Sequence, residues 1–458
     1  MNGGMFLHAL LEQGYRDEHA LYAVNPKMSE VRGVPCFPTV LDCPDPVDHV
    51  ISQIPAAGVP TLVDQCIEKG VRSIHLFTAG LAETGDAELV ELEREMVAKA
   101  RAAGLRIIGP NCMGLYVPGV GLAFNPGSPH EPGDVFLLSQ SGANAGAIVG
   151  GLSQRGLRFS KGVSYGNGAD VKAHELLDYA AADPQSSVVV GYIEGVQDGR
   201  AFLEALRRCA ALKPTILLKG GITGAGARAA NSHTGSLAGS IDVFEALCRQ
   251  TGALRARTMD ELLDMAVAVT TDIRHVRNSG VTLVGMGGGF AVLSSDQIAL
   301  EGLTVPPLPE QTQDELREFI PVAGTSVRNP VDATFGRDHP LDLINDRERT
   351  RRAFRVIADA ESTDMVFTTL GGWHGSRGDD SSQSREQRAL EEVDEIAGFQ
   401  RESGVPFAMI REGRGDSTIL GSAQQQGLAV FPTVERASRV VGRLLEWRAL
   451  RGGLPELF

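Results

Sequence analysis

The chain has 458 residues, of which 43% are hydrophobic and 22% charged, with a formal net charge of -14. That length accommodates roughly three domains with ordinary soluble cores, and the acidic balance excludes a nucleic-acid binder, which needs a basic footprint. No apolar run approaches the roughly 18 residues that span a bilayer, so no membrane association is expected. No basic-then-apolar leader opens the chain, and six dispersed cysteines without CxxC pairs read as reduced thiols of a cytoplasmic protein.

Short apolar runs alternate with longer amphipathic segments, which predicts an α/β fold on parallel sheets. Residues 21–24, 73–77 and 106–108 read as strands of a first domain, with a helix at 86–103. The chain opens on Gly3-Gly4 and a helix-like run at 5–13, without the strand and glycine turn that begin a doubly wound domain. Residues 118–133, with four prolines and four glycines, read as a linker. A second domain follows, with strands at 135–138, 188–193 and 215–218 and helices at 173–182, 200–211 and 259–269. The polar stretch 272–280 reads as a second joint. The third domain has strands at 281–284, 365–370 and 407–410, helices at 391–401 and 434–450, and an exposed insertion at 371–387.

Residues 231–240, Asn-Ser-His-Thr-Gly-Ser-Leu-Ala-Gly-Ser, place His233 among small residues. The window lies after the glycine-rich loop 220–226 that follows strand 215–218, and before a helix-like segment. Strand, loop, histidine and helix start suit phosphoryl transfer. Amides at a helix start bind anions, and the positive end of the helix dipole disfavours a protonated ring, leaving a neutral imidazole as nucleophile. A histidine that merely caps a helix or sits in a loop fits the same window.

A second window runs from strand 135–138 into Ser139-Gln140-Ser141-Gly142-Ala143 and reads as an anion cradle at a helix start, or as an N-cap pair. Glu194 closes strand 188–193, where open α/β sheets place ligands. It is either the acceptor for the second ring nitrogen of His233 or a surface acid. In the first domain Asn25-Pro26-Lys27, Ile54-Pro55-Ala56, Thr78 and Asn111-Cys112 either line one crevice or supply ordinary turn chemistry.

Rival motifs are weaker. The GxSxG string at 162–166 is followed by loop residues rather than a helix. The glycines at 224 and 226 begin too far past their strand for a dinucleotide fingerprint. There is no GxxxxGK[ST] sequence, and the histidines lack metal spacing, so no metal site is assigned.

Taken together, Ser-His-Thr-Gly-Ser-Leu-Ala-Gly-Ser at 232–240, Leu-Ser-Gln-Ser-Gly-Ala at 138–143, Gly-Pro-Asn-Cys-Met-Gly at 109–114, Val-Asn-Pro-Lys at 24–27 and Arg-Asn-Pro-Val-Asp at 328–332 resemble the NDP-forming acyl-CoA synthetases. These are relatives of succinyl-CoA synthetase, and the similarity is to the ADP-forming acetate–CoA ligase α-subunit type. The resemblance implies a Rossmann-like CoA-binding domain at 1–128, incomplete at its N-terminus, a succinyl-CoA-ligase-like domain at 129–272 and a second flavodoxin-like ligase domain at 278–458. It implies that His233 is phosphorylated, that Glu194 supports it, and that Ser139, Ser141, Gly142 and Ala143 hold the phosphate. Asn25, Pro26, Lys27, Ile54, Pro55, Ala56, Thr78, Asn111 and Cys112 fall on the turns that line coenzyme A.

The implied reaction interconverts acyl-CoA, ADP and phosphate with acid, CoA and ATP. ADP or ATP and Mg²⁺ are then expected on a separate ATP-grasp β-type subunit, in a hetero-oligomer or with this chain as a homodimer. Ile222 stands where relatives commonly carry arginine, and the glycine turn at 287–289 lacks an expected proline. The missing first strand and glycine loop point to an alternative, a non-catalytic or regulatory acyl-CoA-binding protein on the same scaffold.

Overall fold

The computed structural model describes residues 4–234, 239–285, 288–320, 326–332, 346–370, 382–411 and 417–452. Strands and helices are interspersed along the described residues. Residue contacts divide the chain into two units, one holding the residues up to Gly150 with Arg158–Leu262, the other Gly151–Leu157 with Leu263 onward. No helix among the described residues is long and apolar enough to cross a membrane.

The first unit opens with helix α1 (Met5–Glu12), which buries Phe6, Ala9 and Leu10. Strands β1 (Ala23–Val24), β2 (Glu30–Val31) and β3 (Val34–Phe37) form a small sheet in the order β1-β3-β2. Strands β4 (His49–Ser52), β5 (Ser73–Leu76) and β6 (Arg106–Ile108) form a parallel sheet in chain order. Helix α2 (Val59–Lys69) takes a proline in its first turn and stops at Gly70, whose φ of 76° suits only glycine well. Helix α3 (Ala87–Ala102) is capped by Asp86, whose carboxylate accepts from the amides of Glu88 and Leu89. Their apolar faces close on Ile74, Leu76 and Ile107.

Six strands make the next sheet: β7 (Gly114–Tyr116), β8 (Pro132–Ser139), β9 (Phe159–Ser164), β10 (Val188–Ile193), β11 (Thr215–Lys219) and β12 (Leu254–Ala256), in the order β12-β11-β10-β8-β9-β7. All neighbours are parallel except β7, which runs antiparallel to β9. Without that edge strand the spatial order, read in chain sequence, is 2-1-3-4-5, the flavodoxin-like arrangement. β11 is buried along its whole length and β10 nearly so, which is why both read as unbroken apolar runs. Helices α4 (Gly142–Ser153), α5 (Ala173–Ala182), α6 (Gly199–Leu212), α7 (Gly224–Thr234) and α8 (Ile241–Thr251) cross between these strands.

Three expectations need correction in this unit. The stretch 118–133 is packed rather than a free linker. Ala123 and Phe124 are buried, and the Tyr116 hydroxyl donates to the Pro129 carbonyl at 2.7 Å. Its flank β7, expected with the first domain, is the edge of the second sheet. The segment 224–234, expected as glycine loop and histidine, is helix α7. The Thr223 hydroxyl accepts from the Gly226 amide at 3.1 Å, and four alanines between 225 and 230 favour helix once that cap is set.

In the second unit, β13 (Val281–Val284), β14 (Ser326–Val327), β15 (Val331–Asp332), β16 (Met365–Thr369), β17 (Phe407–Ile410) and β18 (Ala429–Phe431) repeat the arrangement in the order β14-β15-β13-β16-β17-β18, with β14 antiparallel. Asn329 links its loops, its side chain bonding Val281, Leu283 and Pro306 at 2.7–3.0 Å. Of the insertion expected at 371–387, residues 371–381 lie outside the described residues, and from Ser382 the chain is helical to Ser403. Of the glycine turn at 287–289, Gly287 lies outside them.

Candidate active site

An open α/β sheet offers its ligand crevice outside the carboxyl ends of its strands, where the strand order reverses. In the second sheet that switch point lies between β8 and β10, and the predicted cradle and acid sit on those two strand ends. Tyr192 of β10 pairs with Ser139 of β8 in the ladder, so the residues that follow each strand meet.

Ser139 is fully buried. Its hydroxyl donates to the Ser141 carbonyl at 2.7 Å and accepts from the Ser141 amide at 3.2 Å. Ser141 caps α4 by accepting from the Asn144 amide at 3.3 Å. These two caps leave the first-turn amides of Gly142 and Ala143 over, as anion sites at helix starts require. Glycine is needed at 142, because a Cβ there would lie 2.5 Å from Cγ of Met113.

Glu194 is 6% exposed. Its backbone is pinned from both neighbouring strands. The Gln140 side-chain oxygen accepts from the Glu194 amide and, at 2.9 Å, from the Gly195 amide. The Lys219 ammonium, at the end of β11, donates to the carbonyls of Glu194 at 2.5 Å and Gly220 at 2.6 Å. Burial pushes the Lys219 pKa down, and the Glu194 charge opposes it. In the carboxylate, Oε1 accepts from the Tyr192 hydroxyl at 3.1 Å, while Oε2 is buried without a partner among the described residues. A buried carboxylate oxygen left unpaired costs about 1–3 kcal/mol or more, so it marks a place for a donor.

His233 falls in the last turn of α7, and its side chain lies outside the described residues. Its backbone thus lies inside a helix rather than ahead of one, as the sequence had placed it.

The first-domain turns follow β4, β5 and β6, and three of them meet. The Thr78 hydroxyl donates to the Ile54 carbonyl at 2.6 Å, and the Asn111 amide donates to the Thr78 carbonyl at 2.9 Å. Asn111 holds φ at 56°, a left-handed conformation that asparagine tolerates. Pro55 and Ala56 lead into the turn before α2. The Cys112 thiol faces inward, bonded to the carbonyls of Leu76 and Ile108 at 3.4 Å, and burial pushes it up to about 12. Asn25, Pro26 and Lys27 stand apart on the small sheet. There the Asn25 side chain accepts from the Lys27 amide at 2.9 Å, and the Lys27 ammonium is exposed.

Gln140, Lys219 and Tyr192 are site residues that sequence reasoning did not select. Each lies within one residue of a strand end, which was the available signal.

Known proteins are similar to this chain over most of its length. A CoA binding domain matches residues 2–118, and a succinyl-CoA ligase like flavodoxin domain matches 132–269. The α subunit of acetate–CoA ligase [ADP-forming] II from Pyrococcus furiosus is 40% identical over 312 residues, 68% of this chain and 67% of that protein. Acetate–CoA ligase [ADP-forming] I from Archaeoglobus fulgidus is 34% identical over 447 residues, 93% of this chain; this chain spans only 63% of that protein's length. The structure of the dinucleotide forming acetyl-coenzyme A synthetase 1 of Ca. Korarchaeum cryptofilum, in complex with phosphate and ADP, superposes with a TM-score of 0.75 at 29% identity, covering 98% of this chain and 92% of that one.

Proposed function

The chain belongs to the NDP-forming acyl-CoA synthetase family, of the ADP-forming acetate–CoA ligase type, and from that premise we propose that it is the α-type component of an acyl-CoA ligase. Inorganic phosphate, held at the amides of Gly142 and Ala143 and by Ser139 and Ser141, attacks the thioester carbonyl. The CoA thiolate leaves and an acyl phosphate forms. The imidazole of His233 then attacks phosphorus, the P–O bond to the acyl group breaks, and the carboxylic acid departs as its carboxylate. Glu194 accepts a hydrogen bond from the other ring nitrogen, holding its tautomer and stabilising the phosphorylated ring.

Coenzyme A lies along the turns at Asn25–Lys27, Ile54–Ala56, Thr78 and Asn111–Cys112. The domains follow the boundaries 1–128, 129–272 and 278–458 in outline, except that β7 joins the second domain's sheet and the residues from Leu263 pack with the last unit. Among the described residues no cluster of three or more His, Cys, Asp and Glu side chains is placed to hold a metal. ADP and Mg²⁺ are assigned to an ATP-grasp β-type subunit, which accepts the phosphoryl group, in a cytoplasmic hetero-oligomer.

The observation that carries this reading is the buried, unpartnered Oε2 of Glu194 beside a capped helix start at the switch point. Incubation with radiolabelled acetyl phosphate tests it. The expected product is a base-stable, acid-labile phosphoprotein that is lost in His233→Ala. Label retained in that variant sinks the assigned nucleophile.

A further inference from the structure

Tyr192 has no role in the scheme above, yet it touches both of the site's halves. Its hydroxyl donates to Oε1 of Glu194 at 3.1 Å. The Asn144 side chain, on the first turn of α4, lies beside the same hydroxyl. Burial and then the Glu194 charge push the Tyr192 pKa up, while Asn144 acts against them. The backbone makes room for this arrangement. A Cβ at Gly220 would lie 2.4 Å from the Tyr192 hydroxyl oxygen and 3.4 Å from Cγ of Glu194. Gly220 is therefore the clearance through which the phenol reaches the acid.

A carboxylate with two free oxygens turns about its last bond and offers either lone-pair set. With Oε1 held by Tyr192, rotation of the carboxylate is restrained and Oε2 is the oxygen left wholly without a partner among the described residues. We infer that Tyr192 is a positioning residue: it restrains the Glu194 carboxylate through Oε1 and leaves Oε2 as the oxygen open to a donor, the role the proposed function gives to His233, and Asn144 ties that restraint to the helix start of α4. The inference rests on the reading of Glu194 as the support for His233.

The test uses the full chain, radiolabelled acetyl phosphate as the phosphoryl donor, and the variants Tyr192→Phe, Glu194→Gln, the two combined, and Asn144→Ala. One lost orienting hydrogen bond is expected to slow labelling about tenfold in Tyr192→Phe, with the half-saturating acetyl phosphate concentration unchanged. The isolated phosphoprotein should also hydrolyse faster, a change that a purely structural role for Tyr192 does not produce. Asn144→Ala should show a smaller loss of the same kind.

If Tyr192 acts through Glu194, the double variant labels no more slowly than Glu194→Gln alone. Additive losses, or wild-type labelling in Tyr192→Phe, overturn the inference while leaving the Glu194 reading intact. Wild-type labelling in Glu194→Gln overturns both.

Discussion

His75 lies at the centre of the first domain's parallel sheet and makes that domain acid-labile. Its ring is 1% exposed and neither ring nitrogen has a partner among the described residues. Phe6 stacks edge-on against it at 4.9 Å, and His49 lies 6.0 Å away. On the remaining side a Cβ at Gly114 would lie 2.3 Å from Nδ1, so the chain passes too closely to admit water. Burial first, and the neighbouring His49 second, push its pKa down to about 3.

The folded-state pKa lies below the unfolded value of about 6.5, so the unfolded chain takes up the proton first. Full stability holds above about pH 6.5 and is lost as pH falls toward 3. At pH 5 the loss is about 1.5 pH units' worth, or about 2 kcal/mol. Hydrogen exchange followed by mass spectrometry on β5, corrected for intrinsic rates, measures it at pH 7.5 and pH 5. Wild type should lose roughly 30-fold more protection over that range than His75→Leu. The variant's own packing defect is the same at both pH values and cancels in the difference. Equal pH dependence in the two proteins refutes the reasoning.

Asp170 fastens the first domain to the second sheet. Its carboxylate is fully buried and receives Arg101, Arg106 and, at 2.7 Å, the Ile107 amide. Burial pushes its pKa up, but these bonds outweigh burial and hold it below the usual carboxylate range. Asp170→Ala should cost about 3 kcal/mol in urea unfolding, and the wild-type contribution should fade only below about pH 4; an unchanged midpoint at neutral pH counts against the network. Gly220→Ala should displace the Tyr192 phenol, slowing labelling by acetyl phosphate about as much as Tyr192→Phe with little change in unfolding midpoint. A loss confined to stability would show that the side chain found another place.

The strands that position the site were legible because their signal is simple. Val188–Ile193 and Thr215–Lys219 are buried along nearly their whole length, so their sequences are continuous apolar runs ended by Glu194 and Gly220. β9 was missed because Lys161 and Gly162 interrupt its pattern. The lysine is tolerated there because Asp183 and Gln185 receive it at 2.8 and 2.7 Å, partners 22 and 24 residues away that no local window contains. The short strands β7, β12 and β18 carry only three residues each, too few for a period to show.

The site divides along the same line. Ser139, Ser141 and Glu194 sit at strand ends and could be named from chain order alone. The positions of Gln140 and Tyr192 depend on register, with Ser139 of β8 facing Tyr192 of β10. A one-residue slip would turn each of those side chains to the opposite face. The local structure around the histidine window was misread for a different reason. Glycines at 220, 221, 224 and 226 were counted as loop, although only Gly221, at φ 69°, uses the freedom that glycine gives. The other two past the turn are helical, and the helix they begin, α7, runs past His233 to Thr234. At the end of β10, Glu194 keeps one buried oxygen without a partner among the described residues, while the Tyr192 hydroxyl holds the other. No local window contains that pairing, because it depends on which way two residues of one strand end turn.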